Sequence, residues 1–238
     1  MNIIQPYARL VGPLDPKDQF TLQDGIRLLR RIEYFGRISH RSEEAQTEDS
    51  WKRIITNIVM EHGDWSIVEH ASVTVDAVVD RGITHEWVRH RLFSFTQQST
   101  RFINHEKKMP ASFVEPEIEP TQKMDDPISL DEKRHLCKTL WRDAINDAES
   151  RYIQLIRLGV APQIARSIFP NALSSRIATT GNLRNWRHFL IMRTTKEAHP
   201  QMRQVTLPLL EEFKEKIPLL FDDIKPLSRQ IDNLRLPR

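Results

Sequence analysis

The sequence predicts an α/β protein (α+β) in which helices flank a central mixed or antiparallel sheet. Apolar residues recur at helical spacing in several long segments and alternate with polar residues in a few short ones. The chain has 238 residues, of which 39% are hydrophobic, so it can bury one sizeable core. We therefore predict a single domain over residues 1–238, with a surface loop at 105–127 and a tail at 225–238.

Periodicity predicts two helices and a strand in the first third of the chain. Thr21 is a candidate N-cap for a helix that runs to about Phe35, with Asp24 in its first turn. A cleaner helical stripe runs from Ser50 to Glu61, and Gly63 is a natural end for it. The alternation of residues 73–79 then predicts a strand with one buried face.

The next segment carries most of the polar motifs. Thr84 is predicted to cap a short helix that runs through Arg91. Residues 93–102 are predicted to be extended, and because side chains alternate along a strand, Gln97, Ser99 and Arg101 would then share one face. The alternative for that face is an exposed polar strand edge, but its position beside an arginine-rich helix end favours a ligand-binding cradle.

The second half of the chain is predicted to be mostly helical. Prolines and glutamates dominate 105–127, a composition typical of a long surface loop. Ser129 and Glu132 form a capping-box signal for the longest helix, which ends at Gly159. Pro162 opens a short helix, residues 173–180 are predicted to return to a strand, and further helices begin at Asn182 and Pro200.

Composition limits the class of protein and its location. The lone Cys137 excludes an internal disulfide framework and a multi-cysteine zinc site. No apolar run approaches the roughly 20 residues that a membrane span needs, and the first six residues lack the features of a signal peptide. We therefore predict a cytoplasmic protein with no membrane partner. The net charge of +3 favours small anionic ligands and does not require nucleic acid.

Several common sites are absent from the sequence. There are only seven glycines and neither of the glycine-rich nucleotide loops, so any nucleotide must be held by side chains and helix ends. The sequence has no Gly-x-Ser-x-Gly elbow and no His-Glu-x-x-His helix. The pairs His62/His70 and His85/His90 lack helical ligand spacing and an acid cluster, so no metal site is predicted.

Arginines flanked by apolar residues are the main chemical signal. The stretch 89–102 holds Arg89-His90-Arg91, then seven residues, then Ser99 and Arg101, with no acid and no lysine. The positive charges of such a cluster repel one another unless an anion binds between them. The guanidinium group is suited to bidentate hydrogen bonding with phosphate. Arg193 follows four apolar residues, so it needs an anionic or carbonyl partner and could stabilise developing negative charge.

The stretch Arg89-His90-Arg91, seven residues and then Ser99 resembles the signature of the flavin-dependent thymidylate synthases. Further blocks are similar to that family and occur in its order: residues 36–39, 62–70 and 182–193. The resemblance covers most of residues 30 to 220. It implies an α/β homotetramer with active sites at subunit interfaces, which makes dTMP from dUMP. The carbon comes from 5,10-methylenetetrahydrofolate, the hydride from reduced FAD, and NADPH reduces the flavin.

The resemblance also implies roles for individual residues. Cofactor-binding positions are Ser39, Ser66, Glu69, Arg89, His90, Arg91, Gln97, Asn182, Arg184 and His188. Substrate-binding positions are Glu86, Arg89, Gln97, Gln98, Ser99, Arg101, Arg193 and, from another subunit, Arg166. Arg193 would act catalytically by favouring the N3-ionised uracil. Ser99 is the one candidate nucleophile, but no activating base is evident, so we expect it to orient the ligand.

Some positions depart from the family pattern, among them Thr96, Phe102, Glu86, His188 and Gln97. These departures leave room for two alternatives: a relative that hydroxymethylates a pyrimidine nucleotide, and a non-catalytic nucleotide- or RNA-binding protein. We also expect His90, between two arginines, to have a lowered pKa and a neutral ring.

Overall fold

A computed structural model describes residues 1–106, 110–123 and 126–226. Most of the predicted tail at 225–238, and five residues of the predicted loop at 105–127, lie outside the described residues. Among the described residues, no helix is long and apolar enough to cross a membrane.

The described residues form both strands and helices. The strands are β1 (Asn2–Ile4), β2 (Tyr7–Leu10), β3 (Ser72–Asp80), β4 (Ser94–Gln97), β5 (Ser112–Val114) and β6 (Ser174–Asn182). The helices are α1 (Leu22–Ile38), α2 (Trp51–Arg53), α3 (Arg81–Trp87), α4 (Leu130–Arg157), α5 (Pro162–Ala165), α6 (Leu183–Arg193) and α7 (Pro200–Lys216). Helix α2 continues as a π-helix over Ile54–Glu61, and 3₁₀ turns cover Glu43–Ala45, Trp65–His70 and Arg166–Ile168.

The strands form two sheets. Four strands make an antiparallel sheet in the order β2-β3-β6-β4, flanked by helices. Strands β1 and β5 pair in parallel, with Asn2 opposite Ser112 and Ile4 opposite Val114. Val73, Val75, Ala77 and Val79 are buried along β3, as their alternation predicts. The predicted class, helices around a mixed or antiparallel sheet, is therefore confirmed.

The chain divides into two compact units. The first contains Met1–Pro6, Val78–His85 and Gln97–Arg176, and the second contains Tyr7–Ala77, Glu86–Thr96 and the described residues from Ile177 onward. In the first unit, Ala111, Phe113, Ile145 and Leu173 form a core cluster. In the second, the apolar faces of α6 and α7 are buried, including Trp186, Phe189, Met202, Leu209 and Phe213.

The predicted starts of α1, α4 and α6 are confirmed, and a side chain caps each of these three helices. Thr21 and Asp24 form a complete capping box at α1. The Ser129 hydroxyl accepts from the Glu132 N–H at α4, and Asn182 Oδ1 accepts from the Asn185 N–H at α6. Gly63 and Gly159 take positive φ angles of 82° and 86° after their helices, a conformation that favours glycine.

The predicted helix from Thr84 to Arg91 is wrong at both ends. Asp80 Oδ1 accepts a 2.7 Å hydrogen bond from the Ile83 N–H, so helix α3 begins at Arg81 and Gly82 lies inside it. The Thr84 hydroxyl donates instead to the Arg81 carbonyl at 2.9 Å. The helix ends at Trp87, so the Arg-His-Arg motif follows the helix rather than lying on it.

The predicted extended segment 93–102 is extended only in β4, at Ser94–Gln97. Beyond it, the Ser99 hydroxyl accepts from the Arg101 N–H at 3.2 Å, the local pairing by which serine favours turns. The expectation that Gln97, Ser99 and Arg101 share a strand face is therefore wrong.

The predicted surface loop at 105–127 is wrong for its central part. Residues 112–114 form strand β5, and Ala111, Phe113 and Val114 are no more than 1% exposed. On either side, ion pairs join acidic side chains to α4: Glu106 to Arg157, Glu115 to Arg142 and Glu119 to Arg134. Along α4 itself, Tyr152 is buried, but Leu140 is 70% exposed.

Candidate functional site

Arg193, the last residue of α6, is the centre of a polar cluster in the second unit. Its Nη1 donates to Glu86 Oε2 at 3.0 Å and its Nη2 donates to the Glu86 carbonyl at 3.2 Å. Its Nε donates to His90 Nε2 at 2.9 Å. These three bonds fix the orientation of the guanidinium, which has five N–H donors, so two donors remain for a ligand.

His90 serves as an acceptor in this cluster. Because Arg193 donates to Nε2, that nitrogen must carry the lone pair, so the ring is neutral and its proton lies on Nδ1. Burial, then the charges of Arg193 and His188, lower the pKa of His90 to about 4. The predicted lowering is confirmed, but burial and Arg193, rather than Arg89 and Arg91, are its causes.

The His90 ring also lies in an aromatic environment. It makes an edge contact with Phe189, with ring centroids 4.8 Å apart, and its centroid is 6.0 Å from that of His188. Partial burial and then the charge of Arg193 lower the pKa of His188 as well. Both rings are therefore set to be neutral near pH 7, and they can stack on or hydrogen-bond to a ligand.

The other predicted cofactor residues of this unit lie on different elements. Arg89 and Arg91 are exposed, and within the described residues their guanidinium groups have no hydrogen bond or ion pair. Arg184, in the first turn of α6, donates to Glu69 Oε1 at 2.5 Å. Asn182 uses Oδ1 for its cap, which leaves its NH₂ group as a donor.

Two predicted serines occupy turns of the same unit. Ser66 is exposed in the 3₁₀ turn Trp65–His70. Ser39 follows α1 directly, and its hydroxyl donates to the Gly36 carbonyl at 3.0 Å. Both hydroxyls lie at a helix or turn end, where a ligand can reach them.

Sequence reasoning missed Arg187, which supports the turn that carries Ser66. Its guanidinium lies over the Trp65 ring, 4.7 Å from the centroid, and forms a bidentate ion pair with Asp223. It also donates to the Leu220 carbonyl at 2.7 Å. The available signal was its position three residues after Arg184, a spacing that is equally typical of a solvated helix face.

The first unit contains the remaining predicted substrate residues. The Gln97 amide donates to Thr84 Oγ1 at 3.1 Å and to Ser175 Oγ at 3.0 Å. The Gln98 N–H donates to the Arg176 carbonyl at 2.8 Å. These bonds hold the chain in place immediately before Ser99.

Arg166 lies beside this segment. Its Nη1 donates to Thr100 Oγ1 at 2.5 Å, so within one chain it already neighbours the residue after Ser99. Arg101 is exposed, with its guanidinium 5.4 Å from the centroid of the Phe102 ring. Within the described residues, no histidine or carboxylate contacts the Ser99 hydroxyl. That hydroxyl therefore has no visible activating base.

Sequence reasoning also missed Arg81, which lies at the junction of β3 and α3. It is half-buried, and burial and then the charge of Arg166 lower its pKa. The overlooked signal is an arginine placed directly after a strand whose inward face is fully buried.

Among the residues that the structure describes, no three His, Cys, Asp or Glu side chains lie together in an arrangement that could hold a metal ion.

The sequence of this chain is similar to a family model and to proteins with one shared name. A sequence model of the family described as "Thymidylate synthase complementing protein" matches residues 26–219. The chain is 37% identical over 171 residues to the flavin-dependent thymidylate synthase of Corynebacterium efficiens, covering 70% of this chain and 67% of that protein. It is 34% identical over 197 residues to the enzyme of that name from Corynebacterium aurimucosum, covering 81% and 78%.

A third similar protein comes from an organism of another genus. The flavin-dependent thymidylate synthase of Pyrococcus furiosus is 33% identical over 200 residues, covering 83% of this chain and 75% of that protein. The family match spans the Arg-His-Arg motif, Ser99, Arg166 and Arg193. The chain belongs to the thymidylate synthase complementing protein family.

Proposed function

We propose that this protein is a flavin-dependent thymidylate synthase, which converts dUMP to dTMP. Family membership and the names of its relatives support a flavin-dependent enzyme that methylates dUMP. The observation in this chain that carries the proposal is the fixed guanidinium of Arg193, which retains two free N–H donors beside a neutral His90. The comparisons support the synthase, and they do not support the hydroxymethylase or the non-catalytic binding protein.

Arg193 is the residue that we expect to act on the uracil. Its bonds to Glu86 and His90 fix the orientation of the guanidinium before the substrate binds. Its remaining donors can therefore stabilise negative charge that develops on the pyrimidine, with no rearrangement of the side chain. It remains protonated throughout, so it stabilises the N3-ionised base rather than removing a proton. In this scheme Glu86 orients Arg193 and contacts substrate, and Ser99 orients the nucleotide.

The flavin is proposed to be FAD, and the donor chemistry of the chain fits it. The guanidinium groups of Arg89 and Arg91 are exposed and have no partner in the part of the chain that the structure describes, so they suit a diphosphate. The NH₂ of Asn182, which its cap does not use, suits a carbonyl or phosphate oxygen. When bound, the reduced flavin supplies the hydride. The neutral rings of His90 and His188 would lie against it, and the remaining contacts are assigned to Ser39, Ser66, Glu69, Gln97 and Arg184.

The co-substrates and the assembly are further parts of the proposal. We assign 5,10-methylenetetrahydrofolate as the carbon donor and NADPH as the reductant. We also propose a homotetramer in the cytoplasm, with active sites at subunit interfaces. Because Arg166 donates to Thr100 of its own chain, one subunit would supply both Arg166 and Ser99 to an active site.

A visible absorption spectrum with anaerobic reduction tests the proposal. The purified protein should show flavin bands that bleach on reduction and return when dUMP and methylenetetrahydrofolate are both added, with dTMP formed. A product that carries a hydroxymethyl group would support the first alternative. Nucleotide binding without turnover, weakening steeply with salt, would support the second.

A further inference from the structure

Arg81 is held at a fixed position by its main chain. Its N–H donates to two carbonyls, those of Asn171 at 2.8 Å and Leu173 at 3.0 Å. Its own carbonyl accepts from the Thr84 hydroxyl at 2.9 Å. The root of the side chain therefore cannot move far, and the guanidinium can reach only a limited volume within the first unit.

The guanidinium of Arg81 lacks a counter-charge. Among the described residues, it makes no hydrogen bond and no ion pair, although the residue is half-buried. The guanidinium of Arg166 lies near enough for its positive charge to lower the pKa of Arg81. Arg166 itself is bonded to Thr100 Oγ1 and the Gln163 carbonyl, neither of which carries a charge. Two neighbouring, partly buried cations without an anion are unfavourable unless a ligand supplies one.

Hydrogen bonds connect the main chain of Arg81 to Gln97, a predicted substrate residue of the same unit. The Thr84 hydroxyl that donates to the Arg81 carbonyl accepts from the Gln97 amide, which also donates to Ser175. Thr100, which holds Arg166, follows Ser99 directly in the chain. Hydrogen bonds therefore link Arg81 to Gln97, and Arg166, whose charge acts on Arg81, is bonded to the residue after Ser99.

We propose that Arg81 is a further substrate-binding residue, which binds the phosphate of the nucleotide together with Arg166. The inference rests on the proposed function for the identity of the nucleotide. Two guanidinium groups match the charge of a phosphate monoester dianion, and their forked donors match its oxygens. A ligand that lacks the phosphate would leave the two cations uncompensated and gain nothing from Arg81.

Binding of dUMP and of deoxyuridine to the flavin-loaded protein, measured by calorimetry, tests this role. Arg81→Gln should raise the Kd for dUMP by about 10- to 100-fold, because charge-assisted bonds are lost, and leave the Kd for deoxyuridine unchanged. Arg81→Lys should recover part of the affinity, since lysine restores the positive charge but not the planar pair of guanidinium donors. Arg151→Gln, an exposed arginine on α4 of the same unit, is the matched control and should bind both as wild type.

A second measurement separates this inference from the proposed function. Inorganic phosphate should raise the melting temperature of the wild-type protein more than that of Arg81→Gln, whether or not dUMP binds. Equal stabilisation of both, or equal dUMP affinity, would overturn the role of Arg81. So would a parallel loss of dUMP and deoxyuridine binding, which would mark Arg81 as structural. If phosphate raises the melting temperature of wild type more than that of Arg81→Gln but wild type binds no dUMP, the proposed function is wrong and the anion-binding role of Arg81 is supported.

Discussion

Acidification should destabilise this protein through His90, because only the neutral ring can accept the hydrogen bond from Arg193. The pKa of His90 is about 4 in the folded protein against an ordinary value of 6.5. Between these values the unfolded chain binds a proton that the folded protein does not, so stability falls as pH decreases through this window. From about pH 7 to about pH 5 the linkage is worth roughly 2 kcal/mol, and solvent screening of a half-buried ring reduces it to about 1 kcal/mol.

Urea unfolding at the two pH values measures this effect. His90→Gln removes the titrating ring while keeping an acceptor for Arg193, so the variant should lose about 1 kcal/mol less than wild type on acidification. The exposed His62→Gln is the matched control and should follow wild type. If His90→Gln and wild type lose equal stability, or if the ring titrates near 6.5 by NMR, the reasoning on burial and Arg193 is wrong.

Three substitutions test the site and the scaffold separately. Arg193→Ala should lower kcat about 100- to 1,000-fold while the flavin stays bound, because a preorganised donor is lost. Gly181→Ala should lower the free energy of unfolding by about 2 kcal/mol, since an added Cβ would lie 2.2 Å from Cδ1 of Phe93. Glu33→Gln should cost about 3 kcal/mol, because it leaves Arg37, only 5% exposed, without its buried partner carboxylate.

Each of these has a contrary outcome. Loss of folding in Arg193→Ala would make Arg193 a structural ion-pair member, and Arg27→Ala, an exposed arginine on α1, serves as its control. Unchanged denaturation of Gly181→Ala would mean that the Phe93 ring moves aside freely. Asp49→Asn breaks an exposed pair with Lys52 and should cost under about 1 kcal/mol, so an equal cost in Glu33→Gln would contradict the role of burial.

The helices were predictable because their signals are local. Caps at Thr21, Ser129 and Asn182 act within three residues, and the α6 and α7 stripes repeat within one or two turns. Family motifs in the sequence likewise pointed to Arg193 and Ser99. Errors arose where a side chain took a local partner that periodicity does not show. Asp80, rather than Thr84, caps α3. The Ser99 hydroxyl accepts from the Arg101 N–H and forms a turn where a strand was predicted.

The sequence by itself determined the fold class, most helix boundaries and the family, since each depends on neighbours along the chain or on spaced motifs. Only the tertiary structure decided which charges meet. Arg193 reaches His90 across 103 positions, and Arg166 reaches Thr100 across 66. It also showed that Phe113 is buried within a segment of surface-like composition. Burial and long-range pairing set the pKa of His90, and among the described residues Arg81 has no counter-charge. Both properties depend on distances in space that sequence separation does not reveal.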